Sequence, residues 1–200
     1  MSPSLKPFVV GLFIAFVLAA ALQLLFAVTG ATSPGAPMWV LPLVIGSFVA
    51  TTMSRMAGNR AERRVRGGDR DAALALVPPP GAALVVVTRE GFPGKAVGLD
   101  VAVDGRVAVQ LRSPRGAVLR VAPGRHEVAA SNPNGVGDSA GASLMLTVAP
   151  GEVAFLELRF ALGVADGVVK LDRAADPARA RATLAKLTMI APEPEWVAAA

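Results

Sequence analysis

Leu99-Asp-Val-Ala-Val-Asp-Gly-Arg-Val-Ala-Val-Gln-Leu111 is the stretch that decides the fold. Two apolar runs flank Asp104-Gly105, a pair that favours a tight hairpin because both residues tolerate positive φ. Strand side chains alternate between faces, so the register can be tested by parity. A two-residue loop would pair Val101 with Ala108 and Leu99 with Gln110, mixing the faces. A three-residue loop, with Gly105 as a left-handed bulge residue, pairs Val101 with Val107 and Leu99 with Val109. It leaves Asp100, Ala102, Arg106 and Ala108 on the other face, and it is the register expected.

Outward from this hairpin the texture repeats. Short Val/Leu runs separated by Gly/Pro/Asp turns predict strands near 83–89, 98–103, 106–112, 117–122, 126–131, 143–149, 153–161 and 167–171. That spacing reads as an all-β sandwich over 82–190. Val121-Ala-Pro-Gly-Arg125 is echoed by Val148-Ala-Pro-Gly-Glu152, and Pro123-Gly124 and Pro150-Gly151 predict two type II turns. Asp176 as N-cap and Pro177 at the first helical position predict one short C-terminal helix, with Ala180, Leu184 and Leu187 on one face. The tail 191–200 reads as disordered, with Trp196 available for local docking.

Toward the N-terminus the chain becomes apolar. Phe8 to Val28 is free of charge, and Gln23 is its only strongly polar residue. Its length matches a hydrocarbon core of about 30 Å. Met38 to Ser54 is a second uncharged run, shorter and interrupted by Pro42, Ser47, Thr51 and Thr52, with Trp39 at its outer end. A Gly/Pro/Ser turn, Thr29–Pro37, joins them. Residues 1–54 are therefore expected to form a transmembrane helical hairpin with spans 8–28 and 38–54. Residues 55–81 read as a basic, Pro-rich linker, broken by Gly67-Gly68 and Pro78-Pro79-Pro80. A membrane-surface helix over 55–71 is the alternative, which its low apolar content disfavours.

The charge distribution sets the expected topology. Lys6 precedes the first span, and Arg55, Arg60, Arg63, Arg64 and Arg66 follow the second, while the loop between is uncharged. Positive flanks stay inside, so both flanks and the C-terminal domain are expected in the cytoplasm of a bacterial inner (plasma) membrane. A cleaved signal peptide ending near Gly30-Ala31 would leave the domain on the same side. The net charge of +5 thus belongs mostly to the membrane flanks. Residues 72–200 carry thirteen basic and twelve acidic side chains, a balance that argues against a nucleic-acid partner.

The chain has no Cys, no Tyr and one His, His126. Disulfides, thiolate chemistry and Cys-ligated metals are excluded, and a lone His offers no metal set. His126 reads as a strand residue satisfied by a turn carbonyl. Gly137-Asp-Ser-Ala-Gly141 fits the spacing of a nucleophile elbow, but a strand-like run follows it and the His precedes Ser139. Gly135-Val-Gly-Asp-Ser-Ala140 fits a dinucleotide fingerprint without the βαβ context it needs. No catalytic residue, metal or cofactor is expected. The candidate binding element is loop 131–142, with Asn132, Asn134 and Asp138.

Four segments together resemble a known group: Val85-Val-Val-Thr-Arg89, Leu99 to Gly105, Val121-Ala-Pro-Gly-Arg-His-Glu-Val128, and Val148-Ala-Pro-Gly-Glu152 before an apolar strand. This pattern is similar to the PEGA-like domains, small bacterial β-sandwiches of unknown function, many carried on membrane proteins or lipoproteins. The resemblance covers about 82–160 and rests largely on turn residues. It implies a prealbumin- or immunoglobulin-like sandwich with a non-catalytic role. Such domains are often exported, whereas this anchor predicts a cytoplasmic one. The expected function is a membrane-anchored binding or assembly module whose partners are the lipid bilayer and a protein not identified by the sequence. The alternatives are an exported envelope-maintenance domain and, more distantly, a hydrolase.

Overall fold

The first apolar stretch forms α1 (Leu5–Thr29) and the second forms α2 (Val40–Met56). In the computed structural model, residues 5–30, 40–56, 58–92, 94–133, 141–162 and 167–197 are described. Two compact units result, Met1–Gly58 and Asn59–Ala200. Within the first unit the helices meet through small residues. A Cβ on Gly11 would lie 2.5 Å from the Gly46 carbonyl oxygen, and one on Gly46 would lie 2.5 Å from that of Gly11. Ala15, Ala19 and Ala50 are buried beside them. Most large side chains point outward: Leu12, Phe13, Phe16, Leu24, Leu41 and Phe48 are all exposed, whereas Leu22 and Phe26 are half-buried. Val9–Thr29, with mean hydropathy 2.7, is long and apolar enough to cross a membrane. The apolar part of α2 is shorter, Val40–Met53, so of the two expected spans only α1 meets that length unaided.

The second unit is mostly β-sheet. Its strands are β1 (Ala83–Arg89), β2 (Leu99–Val103), β3 (Arg106–Leu111), β4 (Arg115–Val121), β5 (Gly124–Ser131), β6 (Gly141–Val148), β7 (Val153–Leu162), β8 (Gly167–Arg173) and β9 (Thr188–Met189). A five-stranded sheet runs β8-β7-β1-β4-β9 and a four-stranded sheet runs β3-β2-β5-β6. Ala83, Val85 and Val87 of one sheet share a core with Leu99, Val101 and Val103 of the other. Every residue of β1 is buried. Its second face, through Val86, is covered by Ala180 and Leu184 of α4 (Pro177–Lys186). Two covered faces explain why Val85-Val-Val87 shows no polar alternation. Gly116 on β4 makes room for this helix, because a Cβ there would lie 2.7 Å from Leu184 Cδ1. Asp176 caps α4 as expected, accepting from the amides of Ala178 and Arg179.

The central hairpin corrects the expected register. Asp104 and Gly105 both have positive φ, +51° and +76°, so the loop has two residues and not three. Val103 pairs with Arg106 and Ala102 with Val107. The parity conflict is then removed by a bulge: Ala108 is skipped, and Val101 pairs with Val109 and Leu99 with Leu111. The bulge also frees a carbonyl, since Ala108 O accepts from Glu193 N at 2.8 Å.

Three further expectations fail. The segment 59–65, expected as part of a linker, is tied to the β domain: Val65 N donates to Met189 O at 2.9 Å and Ala191 N to Arg63 O at 2.7 Å. Gly67-Gly68 opens a helix, α3 (Gly67–Ala75), in place of breaking the chain, because glycine at a helix start costs far less than in its interior. The tail is ordered through α5 (Pro194–Val197), where Trp196 is 8% exposed and joins the main core. The Arg106 guanidinium lies 5.7 Å above its ring.

Candidate functional site

Of the expected binding loop, residues 131–133 and 141–142 are described. Asn132 is buried at the end of β5, whereas Asn134 and Asp138 lie outside the described residues, as do residues 134–140 of both glycine motifs. Gly141 begins β6, so a strand follows the serine motif. The charged residues after α2 are better defined. Arg60 Nη2 lies 3.0 Å from Asp100 Oδ2, and its Nη1 lies 3.8 Å from Glu193. Arg64 lies beside Glu62, while Arg63 contributes its backbone carbonyl and Arg66 sits at the N-cap of α3. Lys6 and Arg55 belong to α1 and α2.

Glu62 is the centre of this strap. Its side chain is 7% exposed and accepts from Arg112 Nε at 2.7 Å and Arg115 Nε at 3.3 Å. Burial pushes its carboxyl up, but the Arg112 hydrogen bond and the charges of Arg112 and Arg115 outweigh that and hold it below the usual range. Beside it, Gln110 Nε2 donates to Asp100 Oδ1 at 2.7 Å, and Gln110 Oε1 accepts from Arg60 N at 2.6 Å. Asn59 bridges to Ala96 O and Gly98 N. A lone Glu in an arginine run gave no sequence signal of this role.

Arg89, the end of β1, is 1% exposed. Its guanidinium donates to the carbonyls of Gly94, Val97 and Leu111, closing the loop after β1. Burial lowers its pKa to about 10. At the opposite corner, His126 Nδ1 lies 2.6 Å from Asp104 Oδ2 and Nε2 lies 2.7 Å from Ala122 O. Both ring nitrogens face acceptors, so the imidazolium satisfies both. The Asp104 hydrogen bond raises the His126 pKa, and the His126 hydrogen bond lowers that of Asp104. Asp104 also accepts from Glu127 N, which ties the hairpin turn to β5.

An open recess lies beside the first turns of α4. The outer face of the five-stranded sheet continues past Val86 and Phe155 as Thr88, Glu157 and Asp172, which are register neighbours across β1, β7 and β8. With Arg159, Arg179 and Thr183 they line an open cleft of about 550 Å³. Arg159 pairs with Glu157, while Asp172 and Arg179 have no ion-pair partner among the described residues. Thr88 Oγ1 donates to Leu156 O at 3.3 Å. A cleft bearing both charge signs on a rigid sheet suits a polar partner with exposed groups of both signs. No sequence signal marks it, because its residues come from three strands and a helix. Among the described residues no group of three or more His, Asp and Glu side chains is placed to hold a metal ion. No protein-family model matches the chain, and no curated protein matches it significantly.

Proposed function

We propose that this chain is a membrane-anchored, non-catalytic binding or assembly module of a bacterial inner membrane. In this reading α1 and α2 form a two-span hairpin, and the β domain is a PEGA-like sandwich of prealbumin or immunoglobulin type on the cytoplasmic side. A protein partner docks in the mixed-charge cleft beside α4.

The observation that carries the reading is the inverted packing of the helical pair. Gly11, Ala15, Ala19, Gly46 and Ala50 lie inside, while Phe13, Phe16 and Phe48 are 65%, 64% and 71% exposed. A soluble helix pair buries its largest apolar side chains, because water drives them together. In lipid that drive is absent, and close backbone packing through small residues takes over. The shortness of α2 is accommodated by local bilayer thinning at modest cost. Arg60 and Arg64 are engaged by Asp100, Glu193 and Glu62 in the folded domain. Their topogenic effect is therefore exerted on the chain before the domain folds.

The test is reporter topology with a fluorescent protein or alkaline phosphatase fused after Ala200. A fluorescent fusion with an inactive phosphatase is expected. Active phosphatase at that position overturns the cytoplasmic placement.

A further inference from the structure

Gln23 is the one carboxamide in α1, about 9 Å from the Thr29 end at 1.5 Å per residue. The face of α1 turned to α2 runs Gly11, Ala15, Ala19, Leu22 and Phe26. One residue further round, at the same helical spacing, Leu12, Phe16, Ala20, Gln23 and Ala27 form a second stripe, and all five are exposed. The hydroxyls of Thr29, Thr51 and Thr52 donate to the carbonyls of Leu25, Ser47 and Phe48, one turn back on their own helices. Gln23 has no such outlet: its carboxamide makes no hydrogen bond among the described residues. If α1 spans the bilayer, as proposed above, an unpaired donor and acceptor face hydrocarbon, where nothing in the lipid satisfies them.

We propose that this stripe is the contact between two copies of the chain, with the Gln23 carboxamides hydrogen-bonded to each other. A carboxamide holds both a donor and an acceptor, so two related by a two-fold axis along the membrane normal satisfy one another. A second copy inserted in the same orientation places its Gln23 at the same depth without further matching. Ala20 and Ala27 stand one turn to either side of Gln23, and their small side chains let the two backbones approach to hydrogen-bonding reach. A different protein would need a polar group at that depth and a small-residue stripe around it.

The chain has no Cys, so a single introduced Cys reports proximity without background. The experiment uses the full chain in native membranes, with Ala27→Cys on the stripe and Val28→Cys on a different exposed face. Oxidation is expected to give a dimer with Ala27→Cys and little with Val28→Cys. Adding Gln23→Leu to Ala27→Cys is expected to weaken association roughly fivefold to thirtyfold, the range for interhelical hydrogen bonds in model helices. Adding Gln23→Asn retains most of the dimer. Equal cross-linking at positions 27 and 28, a dimer unaffected by Gln23→Leu, or adducts only with other proteins overturns the inference. Alkaline carbonate extraction of the same samples separates the two readings. A chain released by carbonate refutes the membrane span itself, whereas one retained but not cross-linked refutes only the dimer.

Discussion

Glu62→Gln tests whether one buried carboxylate holds the strap 59–66 on the β domain. Three guanidiniums share this group: Arg112 at 2.7 Å, Arg115 at 3.3 Å and Arg64 at 3.9 Å. Gln preserves shape and one acceptor but removes the charge and turns an NH₂ toward an arginine. Stranding one member of a buried ion pair costs about 3–5 kcal/mol. Here the arginine side chains are 33%, 18% and 49% exposed, so water solvates much of the stranded charge. The cost should fall to roughly 2 kcal/mol. That loss is local first, because the strap can lift while the sheets stay paired. The assay is hydrogen exchange on the full chain in detergent, read at the amides of Val65 and Ala191, which bond to Met189 O and Arg63 O. A loss of about 2 kcal/mol accelerates exchange there roughly thirtyfold. Amides in β1 should be unaffected. Adding Arg112→Met should recover part of the loss, since fewer charges are then left without a partner. Unchanged exchange at both strap amides in Glu62→Gln would refute the reasoning.

Three other outcomes follow from the same geometry. Gly105→Val should lower the urea midpoint well beyond Gly105→Asn, with a difference of about 1 kcal/mol, because φ is +76° there and no atom lies near an added Cβ; equal effects would mean that backbone strain does not govern the turn. Gly46→Leu should separate α1 from α2, since its Cβ meets the Gly11 carbonyl at 2.5 Å and backbone cannot yield as a side chain can; a cysteine pair engineered across the helices should stop cross-linking, and persistent cross-linking counts against this packing. Stability should fall at both ends of the pH scale. Glu62 and Asp104 have lowered folded pKa values, so their contribution is present above about 4.5 and 3.8 and is lost as pH drops through the folded values; His126 is raised, so its contribution is present below about 6.5 and is lost as pH rises through the folded value. Urea midpoints across pH 3–9 check this, and His126→Gln should flatten the alkaline fall.

The strand runs 83–89, 106–112 and 153–161 were legible because short Val/Leu stretches between turn residues leave few other solutions. The strap was not. Its anchors are backbone bonds to residues 189–191 and a single Glu among arginines, and neither leaves a periodic trace. The order of the tail was missed for a related reason, although Trp196 was available for docking. A lone aromatic among Pro and Glu looks like a disordered tail until the freed carbonyl of Ala108 offers Glu193 an amide partner. The cleft beside α4 needs Thr88, Glu157 and Asp172 to become register neighbours, which only the strand order β8-β7-β1 brings about.

The two Val-Ala-Pro-Gly copies show where local sequence stops deciding. At 149–152 the expected turn forms: Gly151 has φ +77° and Glu152 N donates to Ala149 O at 3.1 Å. The turn is also docked, because Gly151 N donates to Ala82 O and Glu152 O accepts from Leu84 N. At 122–125 the same four residue types behave differently. Gly124 has φ +138° and already pairs with Val148 as the first residue of β5, and the Ala122 carbonyl is taken by His126 Nε2. Local propensity is shared by the copies, so it cannot be the cause of the difference. The residues that follow each glycine separate them. Arg125 leads directly to His126, which competes for the turn carbonyl with the help of Asp104. Glu152 instead folds its carboxylate back onto Ala149 N at 2.8 Å and reinforces the turn. The hairpin that decides the fold is therefore tied to this second turn, through Asp104 and the His126 ring it holds.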